Sequence, residues 1–580
     1  MPSLDGRPLA RVGQDRGAPA RLMLQSSTSQ AKNIARFPER MTDSPRGRPQ
    51  DGRPSNAPMT RGPETPPPLG DMDADAFRKA GHDLVEWVAT YLEQIEQYPV
   101  LSRVKAGEIR NALPAAAPET GESINAILAD IEQVVVPGLT HWNHPGFFAY
   151  FAISGSGPGI LAEFLSAAFN AQGMLWRTSP VVTELEEVAL SWLRQLLGLP
   201  ETFEGVIYDT ASIATLHALA AARQEAVSEV RERGLTNRAD VPALRVYCSE
   251  HAHSSVDKAV ITLGLGQTAL HRIETDESFQ MRADALATAI AQDRGNGWRP
   301  LAVVATVGTT GSTSVDPVSA IADICDHEQT WLHVDAAYAG AVAMVPGYED
   351  TLAGCDRATS FVVNPHKWLF TPFDLSAFYC RRMDRVREAF SLTPDYLVSP
   401  EAEPVRNLMD TGIQLGRRFR ALKLWMVLRH FGAEGIRRRL AEHLRLAKLF
   451  ASWVDDSEMF ERLAPVPFSV VCFRARPLQS DHDETALDDL NVQVLDGVNA
   501  TGEVFLSHTR LDGRFDKRAR QDGAADRGAF LARLGGHLAM HFLDEQLEFR
   551  AVGRGVRSED AGVEAVGLGG EAHRVLDDGG

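Results

Sequence analysis

Lys367 stands in FVVNPHKWLF, residues 361–370, with Phe361, Val362 and Val363 before it and Trp368, Leu369 and Phe370 after it. An amine among such neighbours either snorkels to water or is held desolvated, where a lowered pKa suits it to imine formation with an aldehyde. Asp335, in HVDAAYAG, ends an apolar run and precedes two alanines that leave open space. A carboxylate there needs a cation, and a protonated pyridine nitrogen is one. His251 and His253, in EHAHSS, share a face if their strand continues through them, so one imidazole can lie against a ring. A satisfied loop histidine is the plainer reading. Thr306, ending AVVAT, is a hydroxyl donor or simply a good strand former. In YDTAS, Thr210 and Ser212 mark a strand-to-helix junction, where hydroxyls and unpaired N–H groups bind an anion or merely cap the helix.

An amine for an aldehyde, a carboxylate for a ring nitrogen, a histidine for stacking and a nest for a phosphate together describe pyridoxal 5′-phosphate (PLP). No one of these is specific; the set, in this order, is. The elements that must position them read as alternating strands and helices from about 145 to 430. FEGVIYDT leads to ASIATLHALAAARQEAVSEV, LRVYCSEHAHSS to a helix, and PLAVVATVGTT to VSAIADICDHEQ, followed by TWLHVDAAYAG. That pattern predicts an α/β domain with a large, mostly parallel sheet flanked by helices, and ligands collect at the strands' carboxyl ends. Between Asp335 and Lys367 there is room for a helix and a further strand.

Residues 1–70 hold ten Arg and the run PETPPPLG, with no sustained period, and are expected to be disordered or a spurious extension. A transit peptide is the alternative. Segment 71–144 opens with a helix that Asp73 or Asp75 can cap, carrying an apolar stripe from Phe77 to Ile95. GRRFRALKLWMVLRHFG predicts a long amphipathic helix leading out of the large domain. Residues 431–515 form a smaller carboxy-terminal α/β domain with FSVVCFRA and GEVFLSHTRLDGRF as strands, and 516–580 read as an aberrant tail.

The chain of 580 residues is too long for one core, and its net charge of −18 argues against nucleic acid. No apolar run approaches the roughly 20 residues that span a bilayer. Five scattered cysteines with no metal-ligand spacing predict reduced thiols, a cytoplasmic location and no metal.

The stretches THWNHPGFFAYF, WRTSPVVTELE, DTASIATLHALAAAR, AHSSVDKA, ATVGTTGSTSVDPV, WLHVDAAYAG, NPHKWLF and LGRRFRALKLW resemble the group II pyridoxal-phosphate-dependent decarboxylases, and among them the aromatic-L-amino-acid decarboxylases. The resemblance runs from about Met72 to Phe515. It implies a fold-type I enzyme, a homodimer with active sites at the subunit interface, and decarboxylation of an aromatic L-amino acid to its amine and CO2. It implies that Lys367 holds the cofactor covalently, Asp335 its ring nitrogen, and His253 its ring face, with Thr306 and Ala337 beside it. Thr210, Ala211, Ser212, Asn364 and His366 would surround the phosphate. Trp142, Tyr150 and Phe151 would line the substrate pocket, and Tyr396, in LTPDYLVSP, would return the proton from a mobile loop. Lys367, Tyr396 and His253 are thus the expected catalytic residues.

Three departures stand out. Ala152-Ile153 replaces the Pro-Thr usual in the family, which predicts a preference for tryptophan or phenylalanine over dopa. Ile213 replaces a glutamate. DKRARQDG follows GRF where the family continues into an apolar strand, which predicts a small domain short of one strand. An aromatic aldehyde synthase, adding oxidative deamination, an enzyme for an acidic substrate like the glutamate decarboxylases, and a catalytically silent protein of the same fold are the rival readings. Trp142, Tyr150, Phe151 and Met174 favour an aromatic ring over an acidic one.

Overall fold

Strands that are apolar on both faces must be covered on both faces, and this dictates the main layer of the molecule. In the computed structural model, which describes residues 70–151, 153–392, 405–476 and 483–520, seven strands share one sheet. They are β1 (Glu204–Tyr208), β2 (Leu244–Ser249), β3 (Leu270–Ile273), β4 (Arg299–Thr306), β5 (Trp331–Asp335), β6 (Ser360–Val363) and β7 (Ser376–Cys380). Their order is β1-β7-β6-β5-β4-β2-β3. β3, β2, β4, β5 and β6 are parallel, while β7 is antiparallel to β6 and to β1. β1 therefore points the same way as β6, and every strand except β7 ends on one edge.

Alternate residues feed two cores. Val303, Ala305, Leu332, Val334 and Phe361 enter one, and Ala302, Val304, Trp331 and Val362 enter the other. This is the expected mostly parallel α/β layer. Between Asp335 and β6 the expected helix is replaced by three 3-10 turns, Ala339–Met344, Glu349–Leu352 and Cys355–Arg357. Pro346, together with Gly347 and Gly354 at positive φ, stops a regular helix from forming there.

Asp73 caps the first helix, Ala74–Glu93, its carboxylate accepting from the N–H groups of Asp75 and Ala76. Phe77, Leu84 and Val85 on that helix are exposed. The long helix Ala421–Asp455 crosses the expected domain boundary at 430, with a break at Gly432, whose φ is 64°.

A second, antiparallel sheet has the order β10-β11-β9-β8, comprising β8 (Phe460–Arg462), β9 (Val470–Ala475), β10 (Ser507–Leu511) and β11 (Arg514–Arg520). The helix Glu484–Ala500 packs on it through Leu490, Val494, Leu495 and Val498. The expectation of a missing strand is corrected here. DKRAR completes β11, paired on both sides, and the expected boundary at 515 falls inside that strand. Lys517 and Arg518 are buried. Lys517 bonds the side-chain oxygen of Asn491, which also accepts from the Ala475 N–H at 2.7 Å. Two ladders and one satisfied amide hold a strand that its own apolar content does not.

Candidate active site

The carboxyl edge of the large sheet gathers one cavity. Phe151, Thr210, Ala211, Ser212, His253, Thr306, Asp335, Ala337, Asn364, His366 and Lys367 line it, together with Gly308, Thr310 and Tyr338. β1 delivers Thr210 to the start of the helix Ala211–Ala226. Its hydroxyl and N–H both turn back to Asp209 Oδ1, at 3.2 and 2.6 Å, so no side chain caps the helix. The first-turn N–H groups and their positive dipole end therefore face the cavity, as an anion requires. Asn364 Oδ1 accepts from the Ser376 hydroxyl at 2.6 Å, and His366 Nδ1 accepts from the Leu375 N–H at 3.0 Å. Burial, with Lys367 adding to it, pushes His366 down to about 3.

β5 ends at Asp335, buried, whose Oδ1 accepts from the Ala337 N–H at 3.0 Å. Burial lowers the pKa of His253; Asp335 opposes the shift and Lys367 adds to it, so the imidazole is neutral at pH 7. β2 stops at Ser249, so His253 stands on a turn and not on a continuing strand. His251 does not share its face and packs against Phe279 instead, with ring centroids 5.4 Å apart. At the end of β4 the Thr306 N–H donates to Asp316 Oδ2 at 2.8 Å, while Asp316 Oδ1 accepts from Met281. The Thr306 hydroxyl is buried and makes no hydrogen bond among the described residues. An orphaned hydroxyl, an uncapped helix start, a carboxylate and an amine in one cavity are the groups that PLP would satisfy.

Lys367 Nζ lies 4.9 Å from the centroid of the Phe151 ring, which stacks on Tyr338 at 4.0 Å. Of the other two expected pocket residues, Trp142 lines a neighbouring cavity with Ile153 and Ser154, and Tyr150 is half exposed at the surface. The structure brings neither to the cavity of Lys367. Tyr396 and Ala152 lie outside the described residues.

Sequence reasoning missed Gly308, Thr310 and Tyr338. The signal for the first two was the run VGTTGSTS directly after β4. Gly308 has φ 89°, and a Cβ there would meet Ala339 Cβ at 2.7 Å, so the turn beside the cavity requires glycine. Tyr338 sits three residues after Asp335, in a stretch read only for its small side chains.

A family model described as the pyridoxal-dependent decarboxylase conserved domain matches residues 106–476. The chain is 39% identical over 457 residues to tryptophan decarboxylase 2 of Oryza sativa subsp. japonica, covering 77% of this chain and 90% of that one. It is also 39% identical over 456 residues to phenylacetaldehyde synthase of Arabidopsis thaliana, covering 77% and 91%. Its fold superposes on a crystal structure of Oryza sativa TDC with PLP and tryptamine with a TM-score of 0.78 at 33% identity, covering 83% and 99%.

Proposed function

The chain belongs to the pyridoxal-dependent decarboxylase family and is a PLP-dependent amino acid decarboxylase, and from that premise we propose that it converts an aromatic L-amino acid to the amine and CO2 with the residues named above. The observation that carries the reading is the placing of the Phe151 ring beside Lys367, in one cavity with Asp335 and His253. When bound, PLP supplies a sink for the electron pair left at Cα as CO2 departs. Lys367 would hold the cofactor. Asp335 would accept a hydrogen bond from the ring N–H and keep that nitrogen charged. Neutral His253 can pack on an aromatic face without a desolvated charge. Thr306 would find the partner that its hydroxyl lacks, and the helix start at Ala211–Ser212 would take the phosphate. Phe151 would be an aromatic wall for the substrate's ring, and Tyr396 would deliver the proton to Cα.

Exposed apolar residues support a homodimer. Phe77, Leu84 and Val85 on the first helix and Leu161, Phe164 and Phe169 on the helix Gly157–Phe169 are uncovered in the single chain. Five buried free thiols support a cytoplasmic location. Among the described residues no helix is long and apolar enough to cross a membrane.

The test is incubation of the PLP-loaded protein with tryptophan, tyrosine, phenylalanine and dopa, assaying amine, aldehyde and CO2. Amine and CO2 in equal amounts, with little aldehyde, are expected. Aldehyde as the main product would favour the synthase reading, and no turnover of any of the four would refute the aromatic substrate.

A further inference from the structure

Behind the wall of the cavity the aromatic rings form a continuous series. Phe151 stacks on Tyr338, with centroids 4.0 Å apart and planes 21° apart. Tyr338 stacks on Trp368 at 4.7 Å and 2°. Trp368 Nε1 donates to His443 Nδ1 at 3.0 Å, with the two rings parallel to within 3° and their centroids 6.5 Å apart, as a hydrogen bond in a common plane requires. Tyr338, Trp368 and His443 are buried, and Phe151 is half-buried.

The anchor of this series lies far from the cavity in sequence. His443 is on the long helix Ala421–Asp455, and the Tyr338 hydroxyl is tied to the Ser469 hydroxyl just before β9. Phe151, at the far end, is carried by a loop ahead of the helix Gly157–Phe169. Stacking tolerates a range of offsets, whereas a hydrogen bond has a preferred direction. The directed hydrogen bond from Trp368 to His443 fixes the plane of the Trp368 ring, and Trp368 is the residue next to Lys367.

We propose that His443 is a positioning residue for the substrate: through Trp368 and Tyr338 it sets the plane of Phe151, the aromatic wall of the cavity, which is held between Tyr338 on one side and the Arg518 guanidinium 4.4 Å from its centroid. The inference rests on the aromatic-substrate reading. It goes beyond that reading by assigning part of the specificity to a residue that lines none of the cofactor cavity.

Three variants separate position from bulk. His443→Ala removes ring and acceptor, His443→Phe keeps a ring without an acceptor, and His443→Asn restores an acceptor in a smaller side chain. With thermal midpoint and PLP content recorded for each, His443→Ala and His443→Phe are expected to raise KM for the aromatic substrate about 3- to 10-fold, the range of one lost hydrogen bond, with kcat changed far less. His443→Asn should recover most of the loss. A crystal structure of the best-folded of the Ala and Phe variants gives a readout independent of turnover, and Phe151 should leave its stack on Tyr338. Phe151 unmoved, or moved with KM unchanged, would overturn the inference. Failure of the wild-type protein to turn over any aromatic amino acid would count against the substrate reading alone, and the ring position would still decide the role of His443.

Discussion

In the seven-stranded sheet the ionisable groups Asp335, His253 and Lys367 stand at or just beyond strand ends and face one cavity. In the four-stranded sheet Lys517 and Arg518 stand inside the central strand itself, both buried. The first set is incomplete within the described chain: the Thr306 hydroxyl has no partner there and the helix start at Ala211 is uncapped. The second set is built into the ladder of the sheet. Lys517 is held by Asn491, and the Arg518 guanidinium lies 4.4 Å from the centroid of the Phe151 ring. Buried polarity that points to a shared space marks a ligand, whereas buried polarity carried inside a strand marks architecture.

Substitutions should separate the two regions. Lys367→Ala removes the amine that would hold the cofactor and should lower kcat/KM by about a thousandfold or more, with the fold intact, because no other lysine among the described residues lines the cavity. A variant that keeps a tenth of the wild-type rate would remove Lys367 from the chemistry. In the small sheet, Asn491→Leu should cost about 1–3 kcal/mol in denaturant unfolding, since it removes the oxygen that accepts from Lys517 and from the Ala475 N–H. The double variant Asn491→Leu/Lys517→Met should recover the part of that loss owed to the ammonium, while the Ala475 N–H still lacks its partner. No recovery would show that Lys517 is paired elsewhere.

The pH dependence of stability tests the burial around the large sheet. Burial lowers His217 and His366 to about 3 and His333 to about 4, while it raises Asp316 to about 6. The histidines contribute stability above their ordinary value of about 6.5 that is lost as pH falls toward their folded values. Asp316 acts with the opposite sign, favouring the fold below about 6 and cancelling one of the three. Between about pH 6 and 4 the unfolded chain should take up about two more protons than the folded one from these groups, so unfolding free energy should fall by roughly 2.7 kcal/mol per pH unit. A flat profile from chemical denaturation over this range would contradict the burial of these groups.

The smaller of the two effects at the cavity concerns the ring nitrogen. Asp335→Asn keeps the shape and removes the charge, and loss of a charge-assisted hydrogen bond worth about 1.5–3 kcal/mol predicts a rate about 10- to 100-fold lower. Unchanged turnover and cofactor affinity would make Asp335 structural, like the polar groups of the small sheet.

The same contrast explains what could be read from sequence. The strands β1, β2, β4, β5 and β6 announce themselves as apolar runs, and the polar residues at their ends identify the cavity. β11 was not legible, because Asp516–Arg520 has no apolar alternation and the strand is held by its neighbours β9 and β10 and by Asn491. His253 was placed on the right edge but on the wrong element, since nothing in EHAHSS signals that β2 stops at Ser249. The ring series from Phe151 to His443 joins residues nearly 300 positions apart, a separation that no local pattern can reveal.

The most direct test of the central claim is covalent. The PLP-loaded protein would be reduced with borohydride, digested and mapped by mass spectrometry. The account predicts one phosphopyridoxyl label, on the peptide containing Lys367, with loss of the visible absorbance. A label on another lysine, or none on a protein that has bound PLP, would contradict it.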